Sequence, residues 1–357
     1  MITALKLIGL AVAGGIVLLV VGAFLLLWIA RRFFRHALET DRVLPCRVTL
    51  EPEPKPQWRS AGVMTGFIND LRALGFRDVG SFQAPELGGM LLHAFYHPQE
   101  PAYAVVYDHK QIEPTIDVLR DFADGTSVAA TNTEMGKTLD QRPTSKTYWL
   151  GKVSARQLFE TVKSHPVTAQ PISHPAAEFV AHFQRDYARG VNWRLKKGGV
   201  NRDEIRRTAE QNGQTLTEEQ LTEAWELERE KYRRQLQEGC IAQYLDESQM
   251  PAGEWEKICN RAVALPETLE LKEIVETLDA ALVLDAEQRH QLEKLPISFG
   301  DNGIDIAQKL ITENLASLGL VKLGEVTEPV LAWIVLAPDR EQQPYPALKA
   351  VPAVSTA

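Results

Sequence analysis

Cysteine is scarce in this chain, and its three cysteines are too few and too widely spaced to organise a fold. Cys46, Cys240 and Cys259 are odd in number and lie far apart in a chain of 357 residues. A disulfide framework needs paired cysteines and a zinc knuckle needs clustered ones, so the sequence excludes both. Sparse cysteine is typical of a reducing cytoplasm, and we expect these residues to be free, mostly buried thiols.

Complete catalytic motifs are also missing. The GKT at 136–138 resembles the end of a phosphate-binding loop, but Thr131 stands where that loop needs a glycine. His93 and His97 lie four apart in a segment of strand character, where their side chains are about 13 Å apart, and the glutamate of a zinc-binding helix is absent. Residues 125–129 fall one glycine short of a nucleophile elbow. The sequence therefore predicts no catalytic residue, no cofactor and no metal site.

A basic excess, which nucleic-acid binding would require, is lacking as well. The chain has a formal net charge of −8, and residues 1–39 contribute +3, so the remainder carries −11. Nucleic-acid-binding modules carry basic surfaces that neutralise phosphates. We therefore expect no nucleic-acid partner.

One long hydrophobic run is present near the amino terminus. Residues 7–30 contain no charged side chain. As a helix, this run is long enough to cross the roughly 30 Å hydrocarbon layer of a bilayer. A cleaved signal peptide would have a shorter apolar core of about 7–15 residues and a small-residue cleavage site. The sequence predicts a single transmembrane helix that is retained and contacts the lipid bilayer.

The charges beside this run predict its orientation. Lys6 and the terminal amine precede it, whereas Arg31, Arg32 and Arg35 follow it. Because flanking positive charge stays on the cytoplasmic side, the large C-terminal part should be cytoplasmic. We expect a bacterial-type, single-pass protein of the inner membrane, with residues 1–36 as transmembrane anchor and basic flank.

The next part of the chain has alternating strand-like and turn-like segments. Residues 37–56 form a Pro-rich spacer, and residues 57–165 contain a helical pattern, five or six short strand patterns and a second helix that Ser154 should cap. Gly125 follows an aspartate in a strong hairpin signal. The simplest arrangement is an antiparallel β-meander flanked by helices.

Beyond a proline-containing boundary, the periodicity becomes almost wholly helical. We expect a mainly helical domain over 166–337, in which the apolar run at 329–338 forms a buried strand or a short core helix. Residues 338–357 are rich in proline and small residues and are predicted to be disordered. The predicted fold class is α+β, with an N-terminal transmembrane helix, the meander and a mostly α-helical C-terminal domain.

A basic stretch interrupts the acidic part of the chain. Residues 185–207 hold eight basic residues against three acidic ones, on a helix with an aromatic stripe. A basic amphipathic helix can lie on an anionic lipid surface, and the anchor would hold it close to one. Four residues are candidates for this contact: Arg189, Arg194, Lys196 and Lys197.

Two other interpretations of this stretch remain open. The aromatic residues at 179, 183 and 187 would pack into the domain core while the basic side chains face water, or the stretch would dock against the acidic helix that begins at Thr217. A homodimer through the anchor and the face between Leu221 and Leu236 is a further hypothesis.

The functional prediction rests on two observations: the chain has a predicted membrane anchor, and its sequence contains no complete catalytic motif. We expect a membrane-anchored cytoplasmic scaffold, adaptor or ligand-sensing protein without catalytic activity. The alternative is a membrane-tethered enzyme whose site is assembled from scattered residues, and its candidate pocket residues are His93, Asp124, Asn132 and Arg142. A deep pocket where polar groups converge would favour the enzyme, and a flat apolar or basic surface would favour the adaptor.

Overall fold

The computed structural model describes residues 44–109, 112–166, 169–282, 286–294, 303–312 and 318–338. The predicted anchor at 7–30 and nearly all of the predicted disordered tail lie outside these ranges. Within them, no helix combines the length and apolar character needed to cross a membrane. The described residues belong to one compact unit.

The secondary-structure elements are numbered here in chain order. The α-helices are α1 (Ala61–Ala73), α2 (Ala155–Ser164), α3 (Phe179–Lys196), α4 (Arg202–Gln211), α5 (Glu218–Ser248), α6 (Ala252–Trp255), α7 (Leu271–Leu282), α8 (Ala286–Glu293) and α9 (Gly303–Thr312). The strands are β1 (Glu51–Pro52), β2 (Arg77–Ala84), β3 (Met90–Tyr96), β4 (Tyr103–Asp108), β5 (Thr115–Phe122), β6 (Ser127–Thr131), β7 (Ser145–Trp149), β8 (Pro171–Ile172), β9 (Ala262–Pro266), β10 (Val321–Val326) and β11 (Ala332–Leu336).

The larger sheet is mostly antiparallel and follows chain order from β1 to β7, with β8 pairing to β5. The predicted α+β class is therefore confirmed. One pair differs from the predicted meander, because β7 runs parallel to β6. A parallel neighbour needs a crossover connection, and residues 132–144 supply it.

Successive side chains of β5 point to opposite faces of this sheet, and different helices cover the two faces. Ile116 and Val118 point into a core with α1 and α2, whereas Leu119 lies on the opposite face with α3. The predicted cap of α2 is confirmed. The Ser154 hydroxyl accepts a hydrogen bond from the Gln157 amide, and the Gln157 side chain accepts one from the Ser154 amide.

The aromatic stripe of α3 packs onto the sheet. Phe179 is buried and stacks on Phe82 with ring centroids 5.9 Å apart, and the Tyr187 hydroxyl donates to the Pro45 carbonyl at 2.9 Å. The interpretation that these aromatic residues join the core is confirmed for Phe179, with Phe183 half-buried beside it, but Arg194 and Lys197 do not face water as that interpretation expected. The contact also holds part of the predicted spacer against the fold, where Cys46 is buried.

The C-terminal half contains a three-stranded antiparallel sheet with the order β10-β11-β9, which the prediction of a mostly helical region missed. Helices α7 and α9 pack on one face of this sheet, and α5 packs on the other. Of the two forms predicted for the apolar run at 329–338, a buried strand or a short core helix, the structure shows the strand, β11. Strand β9 pairs with it from a distant part of the chain, so neither short apolar segment reveals its partner locally.

Helix α5 uses its apolar face inside the fold. Leu221 and Leu236, which bound the face proposed for a homodimer, are buried, and Tyr232 between them is buried as well. These residues of the face pack within the chain. Cys46 and Cys240 are buried and Cys259 is exposed, and all three are free thiols.

Two adjacent glycines after α3 give a matched test of packing in this region. Both have positive φ angles, 92° at Gly198 and 79° at Gly199, so alanine at either position is strained by about 1–2 kcal/mol. An added Cβ at Gly199 would also lie 2.8 Å from the Tyr232 ring, whereas the space around Gly198 is open.

We expect Gly199→Ala to lower the free energy of unfolding by about 1–3 kcal/mol more than Gly198→Ala, because only Gly199→Ala overpacks the core. Urea unfolding followed by tryptophan fluorescence measures both losses. Equal losses would show that Tyr232 moves aside without cost.

Candidate functional site

His93, the first of the candidate pocket residues, joins strands β2 and β3. Its Nε2 lies 2.6 Å from Asp78 Oδ1, and its Nδ1 lies 2.7 Å from the Ser81 hydroxyl. Burial lowers the pKa of His93, although the Asp78 carboxylate opposes that shift. Both ring nitrogens have hydrogen-bond partners in β2, so His93 links strands β2 and β3.

The other three candidates lie apart from His93 and from one another. Asp124 is in the β5–β6 turn, where its carboxylate accepts hydrogen bonds from Thr126. Asn132 follows the opposite end of β6, and its side-chain oxygen accepts from the Ile116 amide at 2.8 Å. Arg142 donates to Asp186 of α3 at 3.1 Å. The structure does not bring the four residues together into one pocket.

The four candidates for membrane contact fall into two pairs. Arg189 and Lys196 are exposed on α3, and Lys196 lies 3.6 Å from Glu328. Arg194 and Lys197 instead point to a buried carboxylate, so their charge is used within the protein.

That carboxylate belongs to Glu204 of α4, which is fully buried. Its oxygens accept from Arg194 at 2.6 Å, from Lys197 at 3.0 Å, and from the amides of Asn201 at 2.9 Å and Asp140 at 2.6 Å. Burial would raise the pKa of Glu204, but these hydrogen bonds outweigh it and the pKa is lowered. The cluster ties α3, α4 and the β6–β7 crossover together.

An open groove lies where α1 meets the ends of the central strands. Its volume is about 1140 Å³. Its apolar wall consists of Val63 and Phe67 from α1, Ile112 and Pro114 before β5, and Val153 before α2. Val63 is 48% exposed although it is a large apolar side chain. The groove therefore presents hydrophobic surface to solvent.

Most charged and amide side chains of the groove have partners. Lys152 forms an ion pair with Glu113 at 3.4 Å, and Asn132 accepts a hydrogen bond from the β5 backbone. Arg59 and His109 also interact with neighbouring groups. The ion pair is highly exposed, so it contributes little to stability. None of these contacts forms the nucleophile–base pair or the converging acid–base set that a catalytic centre requires.

A second cluster, the Asp121–His174–His182 cluster, lies on the opposite face of the sheet. One ligand atom from each of these residues lies within 4.8 Å of the others. Asp121 Oδ2 is 3.1 Å from His174 Nε2 and 3.0 Å from His182 Nε2. The two imidazole rings are nearly parallel, with centroids 4.0 Å apart, and the Tyr103 hydroxyl lies 2.7 Å from His182 Nε2.

Separate elements position these side chains. Asp121 is in β5, His174 lies between β8 and α3, and His182 is in the first part of α3. Burial would raise the pKa of Asp121, but hydrogen bonding and charge from both histidines outweigh it, so the pKa is lowered. Burial and the charge of His182 lower the pKa of His174. These three side chains could hold a metal ion.

Sequence patterns did not identify this cluster. Its histidines are eight residues apart and its aspartate lies more than fifty residues earlier, which matches no ligand spacing. The available signal was the alternation of β5, which places Asp121 on the same face as Leu119, together with two histidines beside the start of α3. That signal becomes informative only once α3 is known to cover this face.

The fold is α+β, built on a mostly antiparallel sheet with several helices. The chain matches no protein-family model, no curated protein and no solved structure.

Proposed function

We propose that this chain is a membrane-anchored cytoplasmic adaptor that holds an extended segment of a partner protein in the groove beside α1. The carrying observation is the exposure of Val63 within a groove in which most charged and amide side chains have partners. The anchor and its orientation rest on the apolar run at 7–30 and the three arginines that follow it.

The size and openness of the groove favour a polypeptide over a small molecule. Small-molecule sites usually enclose most of their ligand in about 300–1,000 Å³. The groove exceeds that range and is open to solvent. An extended peptide can bury apolar side chains against Val63 and Phe67 while its polar backbone faces the charged rim.

The geometry also favours the adaptor over the tethered enzyme. Of the four scattered pocket candidates, only Asn132 lines the groove, and its side-chain oxygen is bonded to the Ile116 amide. Recognition requires complementary shape and apolar contact, which the groove offers, without a reactive group.

Site-specific photocrosslinking in native membranes tests this proposal. With a photoreactive phenylalanine analogue at Val63 of the full-length chain, we expect a polypeptide adduct in the membrane fraction that maps to one segment of one partner. Val63→Asp, with the photoreactive residue moved to Phe67, should reduce the adduct about tenfold or more, because it places a charge against the apolar segment.

Leu227 of α5 is the matched control, because it is a large apolar residue that is 47% exposed and does not line the groove. The same analogue at Leu227 should not give the adduct. Equal adducts at both positions, adducts to phospholipid alone, or adducts to small molecules alone would each contradict a peptide-binding groove.

A further inference from the structure

We propose that Asp121, His174 and His182 form a binding site for a divalent transition-metal ion, with Zn²⁺ as the best-matched ion. The site is distinct from the groove, which lies across the sheet, and it does not depend on the proposed adaptor function.

The spacing of the ligand atoms suits a tetrahedral ion. Zn²⁺ binds histidine nitrogen and carboxylate oxygen at about 2.0–2.2 Å, which places neighbouring ligand atoms about 3.3 Å apart. The Asp121–His174 and Asp121–His182 distances are 3.1 Å and 3.0 Å. For both lone pairs to point at one ion, the two stacked imidazole rings would have to turn relative to each other.

Two oxygen atoms lie close to one imidazole nitrogen of this cluster. His182 Nε2 lies 3.0 Å from Asp121 Oδ2 and 2.7 Å from the Tyr103 hydroxyl. Without an ion, the Nε2–H of His182 would be shared between these two oxygens, since an imidazole nitrogen carries only one proton or one lone pair. A cation between these atoms would accept the lone pairs of both histidines and of Asp121 together.

The ligand types select the class of metal. Two imidazole nitrogens and one carboxylate oxygen favour Zn²⁺ and its transition-metal neighbours, whereas Mg²⁺ and Ca²⁺ prefer oxygen ligands throughout. The side chains of the three ligands are only 11–19% exposed. Three protein ligands leave the fourth position of a tetrahedral ion for a water molecule.

The position of the site indicates what the ion would do. Asp121 belongs to the central sheet, and the two histidines flank the turn that leads into α3. The ion would fasten α3 to the sheet at its first turns. The hydroxyl of Tyr103, buried beside His182, lies 2.7 Å from the Nε2 that would bind the ion, so in the metal-bound state it would donate to the Asp121 carboxylate instead.

Metal titration of the full-length protein in detergent tests the site. The protein carries a purification tag without histidine and Cys259→Ser, which removes the exposed thiol. We expect one Zn²⁺ per chain in competition with a chromophoric chelator, and a visible absorption band of tetrahedral Co²⁺ when Co²⁺ replaces it. Mg²⁺ and Ca²⁺ should not compete.

Variants assign the ligands. His174→Ala and His182→Ala should each weaken Zn²⁺ binding by about 100-fold or more, because each removes one of the three ligands. His93→Ala is the matched control, since His93 also lies against an aspartate, at 2.6 Å, but has no second histidine beside it. It should bind Zn²⁺ as the parent protein does.

The melting temperature of the parent protein gives a second measurement of Zn²⁺ binding that does not depend on how well the variants fold. Zn²⁺ should raise the melting temperature of the chelator-treated parent protein by several degrees, because an ion that binds only the folded state stabilises it. Absence of stoichiometric Zn²⁺ binding by the parent protein, or equal loss of affinity in His93→Ala and His174→Ala, would overturn the site.

Discussion

Glu204→Ala is expected to lower the free energy of unfolding by about 3–5 kcal/mol, because it removes one partner from a buried ion cluster. Glu204 has no exposed surface, and its carboxylate accepts from Arg194 and Lys197 and from two backbone amides. Alanine would leave both cations partly buried without this carboxylate. It would also leave the amides of Asn201 and Asp140 without their acceptor.

Urea unfolding at neutral pH measures this loss, and the seven tryptophans of the chain supply the fluorescence signal. Glu204→Gln should lose less than alanine, because its amide oxygen can still accept the backbone hydrogen bonds. Glu113→Ala is the control, since Glu113 is 82% exposed in its ion pair and should change stability by less than about 1 kcal/mol. Equal losses at Glu204 and Glu113 would contradict a stabilising buried cluster.

The Glu204 cluster also bears on the basic stretch at 185–207. Arg194 and Lys197 are held by Glu204, and Lys197 also contacts Asp140 at 2.6 Å. The prediction of a membrane-surface contact can therefore draw on Arg189 and Lys196, whose side chains reach solvent. Two exposed charges provide a weaker attraction to anionic lipid than four, at about 1 kcal/mol for each charge near the surface.

Asp117→Asn is expected to stabilise the protein by up to about 3 kcal/mol at pH 7–8 and to have little effect near pH 4. Burial raises the pKa of Asp117 from 3.8 to about 6, against the opposing hydrogen bonds of Thr131 and Tyr107. Between these two pH values the folded state holds a proton that the unfolded state has lost, so stability falls as pH rises. A shift of about two pH units corresponds to roughly 3 kcal/mol, and asparagine removes this penalty.

Urea unfolding of both proteins across pH 4–8 measures the difference. Asp124→Asn is the control, because the pKa shift of Asp124 is opposite in direction to that of Asp117: hydrogen bonds from Thr126 lower it. That substitution should produce no gain at high pH. A gain for Asp117→Asn that is constant across this range would show that the pKa of Asp117 is not raised in the folded protein.

Local patterns in the sequence were sufficient for much of the α+β region. Strict alternation in β5, the Asp-Gly turn before β6 and the Ser154 cap of α2 each depend on residues that are neighbours in the chain. Short-range periodicity and capping indicate such elements without knowledge of their tertiary contacts. The aromatic stripe of α3 likewise indicated which side of that helix would face the core.

The anchor is a prediction of the same local kind. Its length and flanking charge can be evaluated without knowing any partner segment, because the bilayer imposes one length and the charge rule one orientation. The topology of residues 1–36 is therefore a prediction from sequence alone, and these residues lie outside the described part of the structure.

Only the tertiary structure decided which distant residues meet. Strand β9 pairs with β11, which lies far away in the sequence. Glu204 accepts hydrogen bonds from cations and amides of three segments, and Asp121 lies close to two histidines that follow it by more than fifty residues. Each of these arrangements joins residues far apart in sequence, and neither periodicity nor spacing encodes such pairs. The sequence determines the elements and their apolar faces, whereas long-range packing determines which polar groups those faces enclose.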